Sequence, residues 1–251
     1  MTTATHGTTW FRRYSATPAP RRRLAVLPHA GGAASFFHAW GSAFDGDTEV
    51  LVAQYPGRQE RFNEPCVDRM DVLADRVTEA LLPFTDVPLT LFGHSMGASL
   101  AYEVALRLEA RHRVTPAALH VSSRKAPHRV TPRDLHRMGD DELVAELRRL
   151  GGTDPALLDD PDIRQLVLPA VRADFTLVGT YGPRAATTVG CPVHAWTGDT
   201  DPNVAVRDMD AWADVAPEGF RLRVLPGGHF YLIQQHETLM RELTGHLAED
   251  H

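Results

Sequence analysis

Residues 89–97, Leu-Thr-Leu-Phe-Gly-His-Ser-Met-Gly, constrain this chain more than any other stretch. A run of β-forming apolar residues ends in a Gly-x-Ser-x-Gly pentapeptide, and a helix is predicted from Met96 to about Arg111. A strand that becomes a helix within one residue must turn very sharply, and glycines on either side of the serine permit backbone approaches that a Cβ would block. The turn pushes the hydroxyl out over the end of the strand. Such a turn belongs to a chain that buries a sheet beneath helices, and it makes Ser95 the candidate nucleophile.

The rest of the chain supports that architecture. Short apolar runs at 24–27, 50–53, 89–92 and 119–122 alternate with helical patterns, the signature of βαβ units around a mostly parallel buried sheet. Over 69–82, Met70, Leu73, Val77, Ala80 and Leu81 share one helix face, with Asp68 placed to cap its start. From 124 to 181 there is no convincing strand. Asp140 can cap a helix carrying Leu143, Val144, Leu147 and Leu150 and closed by Gly151 and Gly152. Pro161 opens a longer helix in which Pro169 is expected to place a kink. Alternation then resumes, with strands at 193–196 and 221–225, a helix near 206–215 and a closing helix over 232–247.

With 251 residues, 43% of them hydrophobic, the chain can bury one large core. One domain over 24–251 is expected, with 124–181 as a helical insertion. Residues 1–23 read as a flexible arm and Arg21–Arg23 as a solvated face. The 26 basic against 32 acidic residues argue against a nucleic-acid binder. No segment approaches the roughly 20 apolar residues of a membrane span. The Arg12-Arg13 pair is not followed by the apolar core, about 7–15 residues long, that an export signal needs. Cys66 and Cys191 form neither a disulfide framework nor a metal-ligand spacing. A cytoplasmic protein without metal or cofactor is expected.

A serine hydroxyl is a poor nucleophile until a base takes its proton, so a histidine oriented by a carboxylate must exist. Of 13 histidines, His229 is favoured because Leu225-Pro226-Gly227-Gly228-His229-Phe230 is a Gly-rich turn just past the last strand. His38, His112, His120, His194 and His246 fall within predicted elements. Gly198-Asp199-Thr200-Asp201-Pro202 follows the 193–196 strand and offers two acids. Asp201 lies deeper in the loop and is preferred, while Asp199 is suited to brace the turn. The oxyanion formed during acyl transfer needs two backbone donors. The Met96 amide is one. The Ala30 amide, in Pro28-His29-Ala30-Gly31-Gly32, is expected to be the other.

Taken together, Leu27-Pro28-His29-Ala30-Gly31-Gly32, Tyr55-Pro56-Gly57-Arg58 with Arg61 beyond it, Gly93-His94-Ser95-Met96-Gly97, Gly198-Asp199-Thr200-Asp201 and Gly227-Gly228-His229-Phe230 resemble the stand-alone type II thioesterases of polyketide and nonribosomal peptide synthases. The resemblance spans about 24–247. It implies an α/β-hydrolase fold, the second aspartate of its loop, Asp201, as the triad acid, and a mobile helical lid over 124–181. It also implies a substrate: acyl groups, stalled or aberrant, held as thioesters on the phosphopantetheine arm of an acyl or peptidyl carrier protein. A monomer is expected. Arg58 is read as part of a structural turn. Arg124, Lys125, Arg129, Arg133 and Arg137 could dock an acidic carrier protein or simply face solvent. Two other functions fit the same residues: a carboxylesterase or lipase acting on free esters, and a hydrolase-like binding protein without catalysis.

Overall fold

Five strands are covered on both faces, which is why their sequences read as nearly unbroken apolar runs. In the computed structural model, which describes residues 9–14, 17–44, 46–152 and 158–249, they are β2 (Arg22–Leu27), β3 (Thr48–Ala53), β4 (Leu89–His94), β5 (Ala118–Ser122) and β6 (Val193–Gly198). β1 (Phe11–Arg13) and β7 (Phe220–Leu225) flank them in a seven-stranded sheet ordered β1-β3-β2-β4-β5-β6-β7. All pairings are parallel except β1 with β3. Along β2 and β3, residues alternate between two cores. Ala25, Leu27, Leu51 and Ala53 pack on one side, and Leu24, Val26, Val50 and Val52 pack on the other with Phe37 and Trp40.

The helices complete these layers. α1 (Met70–Leu81) and α2 (Met96–Arg107) bury Leu73, Val77, Leu100 and Val104 in the first core. After α3 (Asp140–Leu150), α4 (Pro161–Thr180), α5 (Val206–Asp210) and the short α6 (Tyr231–Gln234), α7 (His236–Glu249) closes the second core with Leu239, Met240 and Leu243. β7 alternates half-buried and exposed residues, and its outward Arg221 and Arg223 pair with Glu249 and Glu242 of α7. Charges on an edge strand discourage pairing with another chain. Among the described residues no helix is long and apolar enough to cross a membrane.

Because β3 leaves β2 on one side and β4 flanks it on the other, the chain departs from β2 and β4 in opposite directions. The crevice beyond the carboxyl ends of two such strands is where open α/β sheets bind ligands. Over it lie α3 and α4, joined by their own cluster: Leu135, Leu143, Val144, Leu147, Leu158, Leu168, Val171 and Phe175, with Ala30 packed against it. Asp160 caps α4 by accepting hydrogen bonds from the Asp162 and Ile163 amides, and Pro161 takes the first helical position. No strand occurs between 124 and 181 among the described residues.

Several local expectations need correction. Residues 11–13, assigned to the flexible arm, form the edge strand β1, because Phe11 is buried edge-on to Phe84 and Arg13 reaches Glu49. Residues 1–8 and 15–16 of that arm lie outside the described residues. Arg23, expected on a solvated face, is buried between Glu49, at 2.7 Å, and Asp86. Asp68 does not cap α1. The helix begins one residue later, after extended Arg69, and Asp71 supplies the negative charge in its first turn. Asp140 is already helical. Gly139 is the cap, and its amide donates to Glu142 at 2.9 Å. The closing helix starts at His236 rather than 232, since the chain breaks helical geometry at Gln235 after α6.

Candidate active site

The turn between β4 and α2 forces Ser95 to φ 55° and ψ −116°. A non-glycine residue in that region typically costs about 1–3 kcal/mol, and the surroundings must hold it there. The Ser95 amide donates to the Ser122 carbonyl at 2.8 Å. A Cβ on Gly93 would stand 2.0 Å from the Gly97 carbonyl oxygen, and one on Gly97 would stand 1.9 Å from that of Leu27. Both glycines are therefore dictated by space.

Two loops bring the remaining candidates to this serine. His229, after β7, places Nε2 3.0 Å from Ser95 Oγ and Nδ1 2.8 Å from Asp201 Oδ2, in the loop after β6. The carboxylate at Nδ1 assigns the imidazole proton to that nitrogen, leaving Nε2 to accept from the serine. Asp201 is itself anchored, with Oδ1 accepting from the Asn203 and Val204 amides at 2.9 and 3.2 Å. Burial pushes the Asp201 carboxyl up, but the hydrogen bond and charge of His229 and the Asn203 amide together hold it below the usual carboxylate value. Asp199 accepts from the Gly227 amide at 2.9 Å and ties the two loops together. Met96 opens α2 directly after the serine, as a residue presenting its amide at a helix start must.

The loop after β2 is held from below. Gly31 N donates to Asp174 Oδ2 at 2.7 Å, Gly32 N donates to the His29 carbonyl at 2.9 Å, and the Gly32 carbonyl accepts from Arg58 at 3.0 Å. Ala30 lines the same cavity as Ser95 and His229. Arg58 is buried and grips Asp174 with two hydrogen bonds, 2.6 and 2.9 Å long. Its part is therefore an ion pair that joins the loop after β2 to α4, more than the simple turn that the sequence suggests. Arg61 stacks on Trp10 at 4.0 Å and pairs with Glu64. Asp174 escaped the sequence analysis, although a signal existed: it interrupts the apolar stripe that Leu168, Val171, Phe175 and Val178 make along α4.

Beneath α3 and α4 the cavity has a volume of about 480 Å³. Val130, Leu135, Leu147, Phe175 and Val178 give it apolar walls, and Arg124, Lys125, Arg133 and Arg149 give it positive charge. The five basic residues near the start of the insertion do not form one free patch. Lys125 pairs with Asp208 at 3.2 Å, Arg133 with Glu146 at 3.3 Å and Arg137 with Asp134 at 3.7 Å, while Arg124 turns into the cavity.

Away from the cavity, His120, His194 and His246 bring ring nitrogens within 4.8 Å of one another. Their rings are stacked, at 16° for His120 with His194 and 23° for His194 with His246. Lone pairs lie in the ring planes, so near-parallel rings cannot aim at one ion, and the Trp196 indole already donates to His120 Nδ1 at 3.1 Å. The cluster matters for stability instead. Burial, reinforced by neighbouring histidines and by Arg221, lowers His194 to about 4 and His120 well below the ordinary 6.5; near Ser95, burial with neighbouring histidines and Arg58 likewise lowers His29 to about 3 and His94 well below 6.5. These folded values lie below the unfolded one, so unfolding takes up protons. The stability is complete above about pH 6.5 and is lost as pH falls toward each folded value, at about 1.4 kcal/mol per pH unit per histidine. Urea titrations from pH 7.5 to 5 are expected to show stability falling steeply, by several kcal/mol. A slope corresponding to less than one proton would contradict the neutral buried state.

A family model described as thioesterase domain matches residues 22–247. Thioesterase PikA5 of Streptomyces venezuelae is 41% identical over 239 residues, covering 95% of this chain and 85% of the relative. The solved structure of the type II thioesterase BorB from the borrelidin biosynthetic cluster superposes with a TM-score of 0.88 at 40% identity, covering 97% of this chain and 100% of that one. YbtT, a type II thioesterase from the yersiniabactin NRPS/PKS pathway, superposes with a TM-score of 0.86 at 27% identity, covering 96% and 99%.

Proposed function

Since the chain belongs to the thioesterase family, as a type II member with the α/β-hydrolase fold, we propose that Ser95, Asp201 and His229 are its catalytic triad and that carrier-protein-bound acyl groups are its substrates. The observation that carries this reading is the unbroken hydrogen-bonded line from Ser95 Oγ through His229 to Asp201, at 3.0 and 2.8 Å, with Ser95 and His229 lining a partly apolar cavity. His229 Nε2 takes the serine proton as Oγ attacks the thioester carbonyl. The developing oxyanion is held by the Met96 and Ala30 amides. As the C–S bond breaks, His229 returns the proton to the pantetheine thiol, and acyl-Ser95 remains. Water, deprotonated by the same imidazole, then releases the carboxylic acid and restores the serine. Asp201 fixes the imidazole tautomer and stabilises the imidazolium in both halves. Every proton is carried by the chain's own residues.

The substrate reading places the enzyme beside polyketide or nonribosomal peptide synthases in the cytoplasm, clearing stalled or aberrant chains from phosphopantetheine arms. Its support is the type II likeness together with a partly apolar cavity of about 480 Å³ that Ser95 lines. The test compares kcat/KM for an acyl group on a carrier protein with that for the same acyl group as an aryl oxygen ester. At least a tenfold preference for the carrier thioester is expected. A preference for the oxygen ester favours an esterase, and the lack of a fluorophosphonate adduct on Ser95 by intact mass favours a non-catalytic binding protein.

A further inference from the structure

Arg124, the second residue after β5, is the one lid-side cation of the cavity for which no carboxylate partner is found among the described residues. Its Nε donates to Ser99 Oγ at 2.8 Å, and its backbone carbonyl accepts from the Trp212 indole at 2.7 Å, so the side chain is firmly seated. Its Nη2 is sealed from solvent and has no hydrogen-bond partner among the described residues. Burial draws the guanidinium down to about 10, with only the Tyr181 hydroxyl acting in the other direction, and it is still charged at neutral pH. Other buried guanidiniums of this protein behave differently: Arg23 is held by Glu49, Arg58 by Asp174 and Arg107 by Glu103. A buried cation without a counter-charge is unfavourable, and on the wall of a cavity it favours a ligand that brings an acceptor oxygen.

Its position says which part of the ligand. Ser99 lies one helical turn, roughly 6 Å along the backbone, beyond Ser95, and its hydroxyl holds the Arg124 side chain. Arg124 and Ser95 line the same cavity, whose other walls include Val130, Phe175 and Val178. An acyl chain attached at Ser95 and running along the wall toward Ser99 would bring the first few carbons of the chain toward the guanidinium. We propose that Arg124 receives an acceptor oxygen at carbon 3 of the acyl group, a keto oxygen or a carboxylate, and thereby makes the enzyme selective for 3-oxygenated acyl chains over saturated ones. This rests on the thioesterase reading above.

The experiment uses pantetheine thioesters of butyrate, 3-oxobutyrate and malonate with the full-length wild type, Arg124→Met and Arg124→Lys. The readout is the ratio of kcat/KM between substrates, which is independent of the fraction of enzyme folded. The wild type is expected to favour at least one oxygenated substrate over butyryl by roughly tenfold, the scale of one charge-assisted hydrogen bond. In Arg124→Met that ratio should collapse to about one, and Arg124→Lys should retain part of it. Malonyl against 3-oxobutyryl separates the carboxylate from the neutral carbonyl as the preferred acceptor. A substrate ratio left unchanged in Arg124→Met, whatever the absolute loss, would overturn the proposal. So would a wild-type preference for butyryl. If the wild type hydrolysed none of them, the three acyl groups would be presented on a carrier protein and the same ratios read there; failure on the carrier protein too would remove the thioesterase reading, and this one with it.

Discussion

Replacing Ser95 with alanine is expected to lower thioester hydrolysis by about a millionfold, the scale seen when a triad nucleophile is removed. The change deletes one oxygen at a partly exposed turn and no core volume. Alanine and serine meet the same strain at φ 55°, so the urea midpoint should barely move. What survives is catalysis by the oxyanion donors alone, because His229 then has no hydroxyl to deprotonate. Purified Ser95→Ala protein that turned over at even a tenth of the wild-type rate would remove Ser95 from the mechanism. Activity lost together with a collapsed midpoint would locate the defect in folding.

Removing the carboxylate of Asp174 should have the largest effect on stability of any single change near the site. Asp174→Ala leaves the buried Arg58 guanidinium without a counter-charge and the Gly31 amide without an acceptor. Breaking one half of a buried pair typically costs about 3–5 kcal/mol. Turnover should fall as well, since Gly31 follows the proposed oxyanion residue directly. The double change Arg58→Met with Asp174→Leu separates the two effects. Apolar replacement of a whole buried pair is often close to neutral, so much of the stability should return. The lost turnover should not, because nothing then holds the Gly31 amide. An unchanged urea midpoint in Asp174→Ala would contradict the role given to the pair.

How much of this could be read from the residues follows from the range of the forces involved. The buried strands announce themselves as apolar runs because both faces are covered, and the Gly-x-Ser-x-Gly turn declares its geometry locally. Ser95, Asp201 and His229 could be selected because each lies just past the end of a strand in a sheet whose carboxyl edge gathers its loops. Less legible was everything decided between distant segments. Phe11–Arg13 joins the sheet through pairing with residues some 40 positions away. Arg23 looks like part of a basic run until Glu49 and Asp86 arrive beside it. Asp174 and Arg58 are 116 positions apart, and neither residue type predicts the other. Helix starts shifted by a residue, at Met70 and Asp140, because a cap depends on backbone angles that flanking polar residues suggest but do not determine.

The anchoring of Gly31 to α4 gives the cover of the cavity a second duty. To swing that helix clear of the entrance, the protein must either part Asp174 from the Gly31 amide or drag the loop of Ala30 along with it. On the oxyanion role proposed for Ala30, the position of α4 and the arrangement of that donor loop are thereby coupled through one carboxylate.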